Sequence, residues 1–360
     1  MPETSAHPAS TARIAVGRPL RVLAWLSFLA EVIIIGTGGA VRLTGSGLGC
    51  SEWPLCTPES LVPTPEQGFH GVIEFGNRTM TGVVGLLALA VLFLTLHAIG
   101  GRRLIVRALW FAVGGIVLAA VAYAVTAPFG LPGFGFLSGA LLIAVLVGAV
   151  DSLRHTTRRR DLSALAWIVL IGVMAQAVVG GLAVVSDLNP FVVGFHYASS
   201  LILACVTALY LVRLDAAPGP RERAVPRWFA VVTHATGAVL AITIVFGVLT
   251  TGSGPHSGDE NVVRDGFDAT VLAHVHSWPG YVLTGLLVLL AATAWAQRLE
   301  PRRWLLLLIL AVAVQVGVGV VQARTGLPVV LVGIHMVLAA LSAAAYVVVV
   351  TKLKRPAAVA

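Results

Sequence analysis

Two stretches, AQAVVGGLAVVSDLNPFVVGFH (Ala175–His196) and VQVGVGVVQARTGLPVVLVGIH (Val314–His335), align without a gap and end on the same residue type. Gln176 falls in register with Gln315, Gly180 with Gly319, Leu188 with Leu327 and Gly194 with Gly333. Each stretch reads as an apolar helix, a short turn, and a second helix carrying a histidine about two turns in. A matched histidine at one depth of two matched helices points to an internal duplication, because chance placement rarely recurs in register.

The surroundings of this repeat are a membrane. The chain is 58% hydrophobic and 11% charged, with mean hydropathy +0.92, which excludes a soluble globule. The net charge of +8 does not call for nucleic acid, because its positive residues gather in short runs between apolar spans. The polar first ~18 residues lead into a full-length span with no small-residue cleavage site, so the first helix is expected to be retained.

Ten spans of roughly 20 apolar residues are predicted, near 20–42, 71–98, 104–127, 131–153, 163–185, 190–213, 228–250, 269–297, 303–323 and 328–351. Every second connection is basic: GGRR (Gly100–Arg103), RHTTRRRD (Arg154–Asp161), the segment Arg213–Arg227, QRLEPRR (Gln297–Arg303) and the tail KLKRP. This pattern places both termini in the cytoplasm of a multi-pass plasma-membrane protein. TGGAVRLTGSGLG (Thr37–Gly49) and FGVLTTGSGPHSG (Phe246–Gly258) extend the repeat, each closing a helix with a TGSG turn before a long outer loop. The unit is four helices, and both copies start inside, so the repeat is parallel rather than inverted. The pair 104–153 has no counterpart in the second half and reads as an insertion.

The expected fold is therefore an all-α polytopic membrane protein of two tandem, pseudo-symmetric four-helix bundles plus an inserted helical hairpin. Its parts are a cytoplasmic N-terminal tail (1–19), an N-terminal bundle (20–213) that includes hairpin 104–153, and a cytoplasmic linker (214–227). A C-terminal bundle (228–352) and a cytoplasmic tail (353–360) complete it.

His196 and His335 lie about seven residues inside their outer helix ends, roughly 10 Å deep at 1.5 Å per residue. His276 sits at similar depth on the second helix of its unit, so His276 and His335 can face each other across the C-terminal bundle. Paired imidazoles on facing helices are a natural grip for a six-coordinate haem. A lone histidine in an apolar helix is as readily plain hydrogen-bonded packing; the matched pair shifts the balance to haem. His274, on another helix face, is the second choice.

The N-terminal half differs. Asn77 stands where His276 would, and Glu74, one turn earlier, matches Ala273. A carboxylate at membrane depth is costly and marks function more often than packing, although a helix start also favours one. The C-terminal half thus looks built for electron storage and the N-terminal half for chemistry. In the outer loop GLGCSEWPLC, Cys50 and Cys56 are close enough to close a small disulfide, structural or redox-active, on the oxidising side; two thiols alone make a poor zinc site. Cys205, inside a helix, reads as a small apolar residue. Glu31, mid-span in the first helix, has no partner that the sequence can name.

GGAVRLTGSGLGCSEWPLC, IEFGNR, GGLAVVSDLNPFVVGFH, TGSGPHSGD and TGLPVVLVGIH together resemble the haem A synthase family, over both four-helix units. The resemblance implies an oxidoreductase that converts the C8 methyl of haem O to the formyl of haem A, by successive hydroxylations and loss of water. It implies a haem b held by His276 and His335, a substrate haem held by His196, a catalytic Glu74, and an outer cysteine pair, Cys50 and Cys56. Asn77, Arg78, Arg42 and His70 are candidate contacts of the substrate haem, the arginines through its propionates. Many family members have a histidine where Asn77 stands. His70 could substitute, but a five-coordinate iron through His196 is favoured because His70 lies outside the span. The insertion gives ten spans where the family pattern has eight.

The pathway implies two partners: the farnesyl-transferring haem O synthase upstream and terminal oxidase assembly downstream. The redox partner is not legible, a homo-oligomer is left open, and no nucleic acid is expected. Two other readings of the same pattern are a b-type cytochrome taking electrons from quinol and a duplicated transporter. The first gains nothing from Asn77 or Glu74. The second expects carboxylates at midplane in both halves.

Overall fold

The computed structural model describes residues 16–129, 133–259, 261–264 and 266–357. Most of the N-terminal tail, the tip of the turn 127–132 and the last three residues of the C-terminal tail lie outside the described residues.

Nine helices of the described residues are long and apolar enough to cross a membrane. They are α1 (Arg18–Leu43), α2 (Gly68–Thr126), α3 (Gly133–His155), α4 (Arg160–Val185), α5 (Pro190–Asp215), α6 (Arg227–Ser253), α7 (Ala269–Ala296), α8 (Arg302–Arg324) and α9 (Val329–Thr351). Start signals are local: Asn189 caps α5 by accepting from the Phe191 N–H, and Asp268 caps α7 through the N–H groups of Thr270 and Val271.

The count of nine and the expected ten agree once α2 is followed. A straight helix of its 59 residues would be roughly 88 Å long, about three times the hydrocarbon thickness. Gly101 breaks it, with φ 62° and ψ −153°, a region essentially restricted to glycine. Leu89 and Gly115, which would be roughly 39 Å apart on a straight helix, line one apolar cavity of about 130 Å³ together with Trp167. The two arms, 68–100 and 102–126, are therefore folded against each other, and α2 supplies two crossings. The sequence anticipated a four-residue loop at Gly100–Arg103; the chain reverses at a single glycine, because φ > 0 there costs no Cβ clash.

An even number of crossings puts both ends on one side, and a short strand pair agrees. β1 (Arg221–Arg223) in the expected linker pairs antiparallel with β2 (Lys354–Pro356) in the expected tail. The protein is a multi-pass, all-α membrane protein with this one polar clasp.

Two apolar cores form. One joins α1, both arms of α2, and α4 and α5, with the α3 residue Ala149 at its edge. The other joins α6, α7, α8 and α9. Ile35, Leu201, Ala204 and Ala340 make a small third cluster where α1, α5 and α9 meet. Tyr197 Oη donates to the Met336 carbonyl across the same seam, at 2.9 Å. On the outer side the first TGSG turn is tied to the loop after the second, the Gly47 N–H donating to the Gly258 carbonyl at 2.9 Å.

The duplication holds down to the backbone. In the α4–α5 turn Leu188 has φ 55° and its N–H reaches the Ala183 carbonyl at 2.8 Å; in the α8–α9 turn Leu327 has φ 59° and reaches Gln322 at 2.8 Å. Left-handed leucines are unfavourable. Their recurrence in register means the same turn geometry delivers His196 and His335 to the same depth.

Candidate functional site

In the C-terminal bundle α7 and α9 bring His276 and His335 together, with ring centres 6.2 Å apart and planes at 81°. Two iron–nitrogen bonds of about 2.0 Å, each with about 1.1 Å from nitrogen to ring centre, put bis-histidine ring centres about 6.2 Å apart. Aromatic packing alone tolerates this separation, so the nitrogens decide. His276 Nδ1 bonds the Thr243 carbonyl of α6 at 2.9 Å, which makes it the protonated nitrogen and leaves Nε2 bare for a metal. His335 Nδ1 is buried without a hydrogen-bond partner among the described residues. Glycines make room for both rings: a Cβ on Gly247 would lie 2.9 Å from His276 Cε1, and one on Gly319 would lie 3.0 Å from His335 Cε1. The residues present fit a haem iron. His274 is exposed and its Nδ1 turns back to the Thr270 carbonyl, away from this pair.

In the N-terminal bundle, α5 carries His196 against Gly180 of α4, whose added Cβ would lie 3.4 Å from the ring. His196 Nδ1 is 2.7 Å from Gln176 Oε1, while the Gln176 amide donates to the His196 carbonyl and to Ser199 and Ser200. An amide oxygen only accepts, so Nδ1 bears the proton and Nε2 is free. Asn77, on the first arm of α2, accepts from the Thr37 hydroxyl of α1 at 2.7 Å. His70, expected outside the span, lies in the first turn of α2, sharing a hydrogen bond with the Ser46 hydroxyl at 2.9 Å.

Glu74 is 5% exposed. Its Oε2 accepts the Cys50 N–H at 2.7 Å and its Oε1 accepts Arg78 Nε at 3.1 Å. Arg78 also donates to the carbonyls of Cys50, Glu52 and Leu55, and a second time to Glu74. A guanidinium has five N–H donors; all are committed here, so a propionate would have to displace one. Cys50 and Cys56 form a disulfide and both are fully buried. The loop they close carries Trp53, which lies over Gly181 of α4, one residue from the glycine under His196. Glu74 and Arg78 thus fasten a disulfide-closed loop as a roof beside the histidine.

Arg42 Nε and Nη2 donate to the carbonyls of His256 and Thr251, across the seam between the halves. Glu31 Oε1 is buried without a hydrogen-bond partner among the described residues. Sequence reasoning did not assign roles to Gln176, Gln315, Trp53 or the three glycines under the imidazoles. The in-register Gln and Gly pairs were the available signal for most of them. Nothing in the sequence ties Trp53 to Gly181, more than a hundred residues away.

The family profile described as cytochrome oxidase assembly protein, COX15-CtaA, matches residues 21–131 and 134–347. A heme A synthase of Exiguobacterium sibiricum is 39% identical over 88 residues, covering 24% of this chain and 29% of that protein. A heme A synthase of Bacillus licheniformis is 30% identical over 150 residues, 38% of this chain and 48% of that protein. A protoheme IX farnesyltransferase of Thermus thermophilus is 37% identical over 76 residues, 21% of this chain and 12% of that protein. The chain spans about half or less of the length of these curated relatives.

Proposed function

Because the chain belongs to the COX15-CtaA family of cytochrome oxidase assembly proteins, we propose that it is a haem A synthase, oxidising the C8 methyl of haem O to the formyl of haem A. The observation that carries this reading is the 6.2 Å gap between His276 and His335, with a bare Nε2 on His276, beside a second histidine site of different surroundings.

In this reading His276 and His335 hold haem b through their Nε2 atoms, and His196 holds the substrate haem. When bound, the iron supplies the oxidising power for an unactivated C–H bond that side chains lack. The protein's own groups orient and enclose. The Thr243 carbonyl and Gln176 fix the imidazole tautomers. Gly180, Gly247 and Gly319 let the rings lie close against the neighbouring helices. The Cys50–Cys56 loop, with Trp53, excludes water from above His196. Glu74 would be the group that manages protons at the methyl, and its position is set by the Cys50 N–H and Arg78. Asn77 and His70 would border the substrate haem without supplying a second ligand, and Arg42 and Arg78 would meet its propionates by each giving up a main-chain carbonyl.

Haem O comes from the farnesyl-transferring synthase, and the product serves terminal oxidase assembly. The test is spectroscopic. The purified protein is expected to show a low-spin, six-coordinate haem b that is lost in His276→Ala and His335→Ala and kept in His196→Ala and Glu74→Ala, while the last two make no haem A. A haem b signal indifferent to His276 and His335, or haem A formation by Glu74→Ala, would overturn these assignments.

A further inference from the structure

Gln176 and Gln315 stand in register one helix away from His196 and His335, and both amides donate to the carbonyl of their histidine, at 3.1 and 3.0 Å. In the N-terminal half the amide oxygen also meets His196 Nδ1 at 2.7 Å. In the C-terminal half that contact is missing: Gln315 Oε1 and His335 Nδ1 are each buried without a hydrogen-bond partner among the described residues. Two such atoms, one an acceptor and one able to donate, on side chains already joined through the His335 carbonyl, are a pair waiting to form.

The rings explain the difference. Over Gly180, His196 presents Cε1 at 3.4 Å and Nε2 at 3.6 Å from an added Cβ; over Gly319, His335 presents Cε1 at 3.0 Å, with Nδ1 at 3.5 Å and Nε2 at 3.8 Å. The His335 ring is thus turned with Nδ1 on the glycine side, whereas His196 gives its Nδ1 to Gln176.

Resting on the reading that the C-terminal site holds haem b, we propose that the repeated glutamine is the positioning residue of each ligand histidine, and that Gln315 Oε1 takes the Nδ1–H of His335 in the loaded protein. It fixes the tautomer that leaves Nε2 for the iron and makes the imidazole a better donor. His276 receives the same service from the Thr243 main chain, which no substitution can remove. Gln315 is therefore the side chain through which this haem's potential is adjustable.

The test uses the full-length, haem-loaded protein with two variants, Gln315→Leu and Gln315→Glu. Gln315→Leu is expected to surrender haem to an apo-haemoprotein acceptor about 10–100-fold faster than wild type. Gln315→Glu, which keeps an acceptor and adds charge, is expected to keep its haem but show a lower midpoint potential in a redox titration. A glutamine that merely packs would leave the midpoint unmoved in the Leu variant, whereas loss of an Nδ1–H acceptor raises it. If Gln315→Leu fails to fold, Gln315→Met, similar in shape and without the amide, is titrated in its place. Wild-type midpoint and loss rate in folded variants would overturn the proposal while leaving the function standing; a wild-type protein that takes up no haem would overturn both.

Discussion

Replacing Arg78 with leucine should release the disulfide loop without unfolding the protein. The Arg78 side chain is 20% exposed and that of its Glu74 partner 6%, so the pair is mostly desolvated. Removing one member of such a pair typically costs about 3–5 kcal/mol, because the other charge stays buried. Three loop carbonyls, of Cys50, Glu52 and Leu55, lose their donor as well. The chain relieves this by letting the loop lift so that Glu74 meets water, which limits the cost to local opening. Taking the lower part of the range, about 3–4 kcal/mol, and about 1.4 kcal/mol per tenfold, opening becomes roughly 10²–10³-fold more frequent. Hydrogen–deuterium exchange followed by mass spectrometry reads this directly. Amides of peptides spanning 46–57, including the Cys50 N–H, should exchange faster by that factor, while peptides of α5 and α9 keep wild-type rates. Unchanged exchange in the loop would refute the idea that Arg78 and Glu74 hold it down.

The glycines under the imidazoles predict a graded series. Gly247→Ala and Gly319→Ala add a carbon 2.9 and 3.0 Å from their rings and should cut haem retention at the C-terminal site, whereas Gly180→Ala, at 3.4 Å, should be milder for its own site; haem-to-protein ratios after purification check this. Cys50→Ser removes a seven-residue ring constraint of about 2 kcal/mol and should speed proteolysis within the loop roughly tenfold or more, with no change if the loop is held by Arg78 alone. Gly101→Ala forces a side chain into a conformation reserved for glycine, at about 1–3 kcal/mol. It should lower the thermal midpoint yet leave haem absorbance intact, since residues 104–153 contain no histidine.

The sequence exposed whatever depends on one-dimensional pattern. Span length, the alternation of basic connections and the two in-register histidines are all projections of the bilayer onto the chain, and α1 and α3 to α9 begin and end within a few residues of their predicted limits. The reversal at Gly101 was blurred because a glycine can turn a chain alone or sit idle in a loop, and only φ and ψ tell which. The β1–β2 clasp was invisible: RER and KRP carry no strand periodicity and pair across more than 130 residues. The same holds for Glu74. Its type and depth marked it as functional, but its grip on the Cys50 N–H depends on how a loop 24 residues away folds back. Gln176 looked like one more aligned letter until its amide was seen against His196.

In the proposed haem A synthase, two histidine-bearing bundles of one chain hold a haem b and convert a second haem. Expressing the protein together with a haem O synthase, in cells lacking their own haem A, and separating the extracted pigments by chromatography tests it most directly. Haem A is the expected product, with haem b still bound to the purified protein. Haem O remaining unconverted beside bound haem b would leave an electron-transfer cytochrome, and extracts with no protein-bound haem would contradict the account altogether.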